Sequence, residues 1–327
     1  MDIFTHMFFA YLINFGIGTL KYNEYAMVFG IALGVIPDFD VLWYPIGLRY
    51  SIARHRGVSH SITFIVIATI ILAAIFAPII HVDFFVLCLI GILSGLSHLC
   101  LDVLTTIGIP VFWPFSKSEV HLDLERAINP YFLGISIFLI IFLFQLRVIG
   151  FNYQIYLQLI TIITAAIIFY YIAKLILKLY MQISYSTPEF KLRGLPTAGL
   201  FKWFLVGKKI EDGIIRLKYC KYNLLSGHKP KFWYFSHSTL NNAKPPLDTI
   251  EKAKAYTFNL KEVKKFIEKF KYPLAEVQSG QAHRKWTVYW FPLELMGLNR
   301  AFAIRIELDA DGKYSTKHAY FWKFDKI

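Results

Sequence analysis

Histidine and aspartate recur in this chain beside runs of residues that otherwise carry no charge. His6 stands at the start of one such run, Asp38 and Asp40 in "GVIPDFD", His55 and His60 in "RHRGVSHS", and His98 and Asp102 in "SGLSHLCLD". Ionisable groups inside or beside apolar segments are costly, and a role in function is their default explanation. His98 and Asp102 are four residues apart, so on a helix they share a face and reach one ion or two adjacent ions. His55 and His60 are five apart and share no face of a continuous helix. They converge if His55 stays in a loop, Gly57 supplies a bend, and Ser59 or Ser61 caps the helix that carries His60. Pro37 disfavours helical geometry in the residue before it, which makes "GVIPDFD" a polar turn able to present two carboxylates.

Imidazole and carboxylate ligands without cysteine suit Zn²⁺, Mn²⁺ or Fe²⁺ in a site that keeps a position open for water. Zinc or manganese, as one or two ions, is the expected cofactor. Seven ligands exceed what one tetrahedral ion uses, and two ions about 3.5–4 Å apart are a common solution for hydrolysing phosphoesters or amides. In that scheme His6, Asp38, His55, His60, His98 and Asp102 hold metal, and Asp40 is a further ligand or the general base. Arg54 and Arg56 flank the set; a guanidinium fork there can clamp a phosphate, and Arg56 is the expected catalytic one. The same arginines serve equally well as positive charges at a membrane face. A lone histidine in a membrane segment more often bonds a backbone carbonyl, so the argument rests on convergence of the set. His81 with Asp83 falls on the opposite side, and Glu119 and His121 fall in a loop that reads as solvated.

Composition and hydropathy say what must position these residues. Of the 327 residues 56% are hydrophobic and 17% aromatic, with positive mean hydropathy, a balance that argues against an ordinary soluble protein. Segments of roughly 20 apolar residues are needed to cross about 30 Å of hydrocarbon. Six candidates approach that, at about 3–20, 25–46, 58–80, 83–107, 130–150 and 153–180. In an up-and-down bundle the start of one helix and the end of the next meet at one face, which gathers all seven ligands there. Lys and Arg are biased toward that same face, so the site and both termini are expected to be cytoplasmic, in a multi-pass protein of the cell membrane.

Beyond the bundle, assigned to 1–181, a linker rich in Pro, Gly and hydroxyl residues covers 182–200, and a basic domain covers 201–327. Residues 1–181 hold nine basic and nine acidic residues, so the whole excess of +13 falls on 182–327. There "IIRLKYCKYN", "KFWYFSHS", "KWTVYWFPLEL", "AFAIRIELDADG" and "HAYFWKF" read as strands, with Asp311-Gly312 as a hairpin turn, and "NLKEVKKFIEKFK" reads as an amphipathic helix. The fold class expected is an α-helical membrane bundle of about six spans followed by a small α+β cytoplasmic domain. The three cysteines are scattered and suggest neither a disulfide framework nor a thiolate metal site.

The series His6, "GVIPDFD", "HRGVSHS", "SHLCLDVLTTIG" and "WPFS" resembles the YdjM-type family of membrane-bound metal-dependent hydrolases, a family associated with LexA regulation in some bacteria, over about residues 1–120. The resemblance implies hydrolysis, with the same seven His and Asp residues at the family's polar positions. Membrane lipid is then a partner, and an amphiphilic or phosphorylated substrate follows from a site at the interface. Two rivals come from other classes. A metal-ion transporter needs polar residues continuing to the far face, where "ATIILAAIFAPII" and "DFFVLCLIGIL" are almost wholly apolar. A membrane-anchored binding protein would use 182–327 on nucleic acid or anionic lipid, with Trp233, Tyr234, Trp286, Tyr289 and Trp290 as stacking candidates.

Overall fold

The computed structural model describes residues 1–16, 24–43, 56–150, 152–197, 199–212, 214–238, 245, 247–267, 270, 272–279, 285–293 and 301–321. Arg54 and His55 lie outside the described residues. The chain divides into two compact units, Met1–Leu175 and Ile176–Ile327.

The first unit holds α1 (Ile3–Gly16), α2 (Glu24–Leu33), α3 (Ile62–Ile80), α4 (Phe84–Val103), α5 (Pro130–Val148) and most of α6 (Tyr153–Tyr185). Short 3-10 turns at Ile36–Trp43 and Val58–His60 lie between α2 and α3. Caps set the ends of the central pair. The Ser61 hydroxyl accepts from the Phe64 amide at 3.2 Å to begin α3, and the Asp83 carboxylate accepts from the Phe85 and Val86 amides to begin α4. His81, left-handed at φ 54°, closes α3, so His81 and Asp83 shape the α3–α4 turn.

Central α4 packs against α1, α2 and α3 and buries Leu87, Ile90, His98, Leu99 and Asp102. Its approach to α3 depends on Gly95, where an added Cβ would stand 2.5 Å from Ile65. Apolar side chains also face outward, among them Ile67, Ile71 and Ile75 of α3, Phe138 and Phe144 of α5, and Phe169 of α6. A helix apolar all round needs protein or lipid on every side, and lipid is the medium that these faces fit.

Only three helices among the described residues are long and apolar enough to span, namely α3, α4 and α6; α1, α2 and the described part of α5 are shorter apolar helices. Three of the six expected spans therefore have the length and composition to cross, and the other three are shorter within the described residues. The physical reason is clearest at α2, which stops at Leu33 before Gly34 and tightens into the 3-10 turn containing Pro37.

The second unit contains two four-stranded antiparallel meanders. The first is β1 (Arg193–Pro196), β2 (Lys202–Glu211), β3 (Ile214–Asn223) and β4 (Trp233–Ser238); the second is β5 (Pro273–Ser279), β6 (Lys285–Pro292), β7 (Ala301–Asp309) and β8 (Tyr314–Phe321). Helices α7 (Ile250–Phe258) and α8 (Lys261–Ile267) come between them in sequence. Alternation separates the faces: Phe204, Val206, Ile215 and Leu217 pack with Leu274, Phe291 and Ala303, whereas Trp203, Leu205, Cys220 and Tyr222 pack with Met181, Phe190 and Leu192. The first strand lies within the stretch read as a linker, and Gly312 at φ 84° turns β7 into β8 beside Asp311. Trp286 and Trp290 are core residues whose indole N–H groups donate to the Leu247 carbonyl at 2.8 Å and the Thr257 hydroxyl at 3.0 Å. Trp233 and Tyr234 are exposed.

Candidate metal centre

Four separate pieces of the first unit bring six of the seven candidate ligands together. His6 comes from the first turns of α1, Asp38 and Asp40 from the 3-10 turn after α2, His60 from the last residue of the turn before α3, and His98 and Asp102 from the last turns of α4. Ser61, and not a residue before it, caps α3, which leaves His60 just outside the helix.

The ligand atoms of His6, Asp38, His98 and Asp102 all lie within 4.8 Å of one another. His6 Nε2 is 3.5 Å from Asp102 Oδ1 and 3.9 Å from Asp38 Oδ2, and His98 Nε2 is 3.6 Å from both Asp38 Oδ1 and Asp102 Oδ2. His60 adjoins this quartet, its Nε2 3.3 Å from Asp102 Oδ2 and 3.5 Å from Asp38 Oδ1. Ligand atoms about 2.0–2.1 Å from a tetrahedral ion stand roughly 3.4 Å from each other, so these separations suit a small divalent cation.

Two observations test whether the residues fit a metal. His98 Nε2 and Asp102 Oδ2 are buried without a hydrogen bond among the described residues, an expensive condition that a cation relieves. The Nδ1 of His98 lies 2.9 Å from the Gly34 carbonyl, which can only accept, so the proton sits on Nδ1 and the Nε2 lone pair faces the cluster. Gly34 comes so close to α1 that a Cβ would meet that of Ala10 at 2.5 Å. The Met1 nitrogen lies 2.9 Å from His6 Nε2 and bonds Asp102 Oδ1. The donor set fits a borderline-to-hard divalent ion.

Behind the quartet is a shell of polar contacts. Arg56 is buried; its Nη2 donates to Asp102 Oδ1 at 2.9 Å, and its Nη1 donates to the Thr105 hydroxyl at 2.6 Å and the Ile107 carbonyl at 2.8 Å. It does so from a left-handed backbone, φ 83°, a costly conformation for a residue other than glycine. The Ser59 hydroxyl donates to Asp40 Oδ2 at 2.8 Å and lies 3.0 Å from His60 Nδ1, itself 3.7 Å from Asp40.

Sequence reasoning missed several of these groups. Met1, Thr105 and the Gly34 carbonyl carry no residue-type signal. Asn14 and Ser94, bonded at 2.8 Å, extend the polar interior deeper into the bundle, eight residues along α1 from His6 and four along α4 from His98. A second buried ionic group also emerged. Glu125, in the loop after α4, receives Lys174 Nζ at 2.8 Å and Tyr170 Oη at 3.1 Å on one oxygen, and Asn129 Nδ2 at 2.9 Å and the Arg126 amide at 3.0 Å on the other. Nearby, burial pushes the Arg126 guanidinium below its ordinary pKa while Glu125 opposes that shift.

Comparison with known proteins finds similarity to inner membrane proteins. The Inner membrane protein YbcI of Escherichia coli (strain K12) is 31% identical over 120 residues, covering 36% of this chain and 69% of that protein. No solved structure matches. The family model described as YdjM inner membrane protein matches residues 1–181, which include every ligand of the cluster, and the chain belongs to the YdjM family of membrane proteins.

Proposed function

We propose that this chain is a metal-dependent membrane hydrolase that cleaves an ester or phosphoester of an amphiphilic substrate at the cytoplasmic face. The observation that carries the reading is the quartet His6, Asp38, His98 and Asp102, in which buried ligand atoms of His98 and Asp102 have no hydrogen bond among the described residues. A divalent ion held there, zinc or manganese by its donor set, supplies Lewis-acid chemistry toward a carbonyl or phosphoryl oxygen. The carboxylates of Asp38, Asp40 and Asp102 outnumber the Arg56 guanidinium, which bonds Asp102 among them, and that excess of negative charge suits such an ion.

The protein's own groups divide the remaining work. His60 Nε2, beside both Asp38 and Asp102, takes the proton from an attacking water, and Asp40 on its Nδ1 side stabilises the imidazolium that results. Ser59 fixes Asp40 in that role. Arg56 is committed to Asp102, Thr105 and Ile107, so it serves as counter-charge and anchor for a ligand. The basic second unit contacts anionic headgroups, for which exposed Trp233 beside Lys231 is suited; the lysine lies 5.3 Å from the ring centroid.

The test is elemental mass spectrometry of detergent-purified protein together with a screen of p-nitrophenyl esters and phosphoesters. Wild type should carry one or two equivalents of a transition metal, His98→Ala should lose it, and His60→Ala should keep metal while losing turnover. A wild type that stays metal-free after reconstitution with zinc, manganese and iron would sink the reading.

A further inference from the structure

The loop between α4 and α5 starts at the metal centre and ends in exposed aromatic residues. Its base is fixed to the site: Arg56 Nη1 donates to the Ile107 carbonyl at 2.8 Å, and the Ile62 amide, two residues after His60, donates to the Val111 carbonyl at 3.0 Å. Ile109 and Val120 pair by two backbone bonds of 3.2 and 2.9 Å, which makes the segment between them a narrow projection. Turns from Trp113 to Pro110 and from Ser116 to Phe112 shape its tip.

That tip exposes apolar surface. Phe115 is 90% exposed and Phe112 55%, and no charged residue occurs from Leu104 to Ser116. The ligand-bearing turns do the same: Phe39, between Asp38 and Asp40, and Val58, two residues before His60, are 45% and 44% exposed. An aromatic residue so open to water, with others near it, marks a surface that meets something apolar. The identity of that apolar medium comes from the helix to which the loop is tied. Ile62 begins α3, a helix of spanning length that turns Ile67, Ile71 and Ile75 outward, so the loop is tied to the end of a helix whose exposed side chains fit lipid. Lys117, Ser118 and Glu119 come directly after, and an aromatic cluster next to such polar residues is the pattern of a membrane–water boundary.

We propose that the Pro110–Ser116 tip is immersed in the bilayer and, with Phe39 and Val58, forms an apolar lip that opens the His/Asp cluster toward lipid. Resting on the hydrolase reading, this makes the substrate an amphiphile that keeps its hydrocarbon part in the membrane while its polar bond reaches the ligands.

The experiment uses the full chain in lipid nanodiscs, with Cys88, Cys100 and Cys220 replaced and a nitroxide attached through Phe112→Cys or Phe115→Cys, and through Ser118→Cys for comparison. Collisional relaxation by oxygen, which partitions into lipid, is measured against that by a water-soluble nickel chelate. Labels at 112 and 115 should respond to oxygen and lose the nickel response that the label at 118 shows. Nickel access at 112 and 115 equal to that at 118 overturns the lip, as does exclusion of both reagents, which would mean protein covers the tip. Metal content of the same samples separates the two ideas: metal present with wet labels removes the lip alone, and metal absent with labels in lipid removes the hydrolase reading alone.

Discussion

Two of the buried ionic groups in the first unit differ in how they are satisfied. Around Glu125 each carboxylate oxygen accepts two bonds, from Lys174 and Tyr170 on one side and from Asn129 and the Arg126 amide on the other. Around Asp102, one oxygen is held by Arg56 and Met1, while the other turns toward His60 and His98 with no hydrogen bond among the described residues. Both carboxylates are fully buried. Burial of charge therefore does not distinguish structure from function here. What distinguishes them is whether the lone pairs are consumed, as at Glu125, or aimed at a common point, as at the quartet.

The sharpest way to break this comparison is to unbalance the satisfied group. Lys174→Met leaves Glu125 buried without its cation and should cost about 3–5 kcal/mol, read as a lower unfolding temperature in detergent. Adding Glu125→Leu should restore most of that loss, because an apolar pair of similar size avoids desolvating two charges. Metal content in the double variant should equal wild type; a parallel loss of metal would show that the two groups are one site.

At the unsatisfied group the order reverses. His98→Ala should weaken metal binding by about 3 kcal/mol, roughly 100-fold, if a quarter of the ~10–16 kcal/mol typical of structural zinc resides in each of four ligands. Its effect on the metal-free protein should be smaller, since the ring nitrogen that faces the cluster makes no hydrogen bond there among the described residues. Calorimetric titration with zinc, alongside unfolding with and without chelator, separates the two effects. Wild type should lose unfolding temperature on chelation, and His98→Ala should not.

The difference also explains what can be read from the sequence. Three of the quartet are legible through local rules, His98 and Asp102 by their helical spacing and Asp38 by the proline before it. His6 becomes credible only by counting which ends of an up-and-down bundle meet. Arg56 is visible as a residue type, but its engagement with Asp102, 46 residues away, depends on a left-handed backbone that nothing in "RHRGVSH" announces. Glu125 carries no signal in its loop, and Lys174 reads only as a positive charge at the membrane face. Their pairing arises because the loop folds back onto the end of α4, where Thr105 and Glu125 form a bridge. In the second unit "IIRLKYCKYN" coincides with β3 because its alternation is clear, whereas the Gly and Pro of "RGLP" mask β1.

Arg56→Lys sharpens the comparison further by removing a fork without removing a charge. A lysine ammonium is one nitrogen and cannot stand at the positions of both Nη1 and Nη2, from which Arg56 reaches Thr105, Ile107 and Asp102, so metal affinity should fall roughly 10–100-fold, the range for residues that orient ligands. Retention of full affinity would mean that charge alone holds Asp102 in place.

The smallest expected effect belongs to Ser59, the hydroxyl between Asp40 and His60. Ser59→Ala removes one hydrogen bond, worth about 0.5–1.5 kcal/mol, from a carboxylate that the Arg56 amide still contacts at 3.3 Å. If His60 moves a proton while Asp40 steadies it, turnover should fall by up to about tenfold with metal content unchanged, because the quartet is untouched. If His60 is instead a fifth ligand, the same substitution should lower metal affinity and turnover together. The split between those readouts decides whether the Asp40–His60 pair resembles the self-satisfied Glu125 group, serving as support, or belongs with the reactive side of the centre.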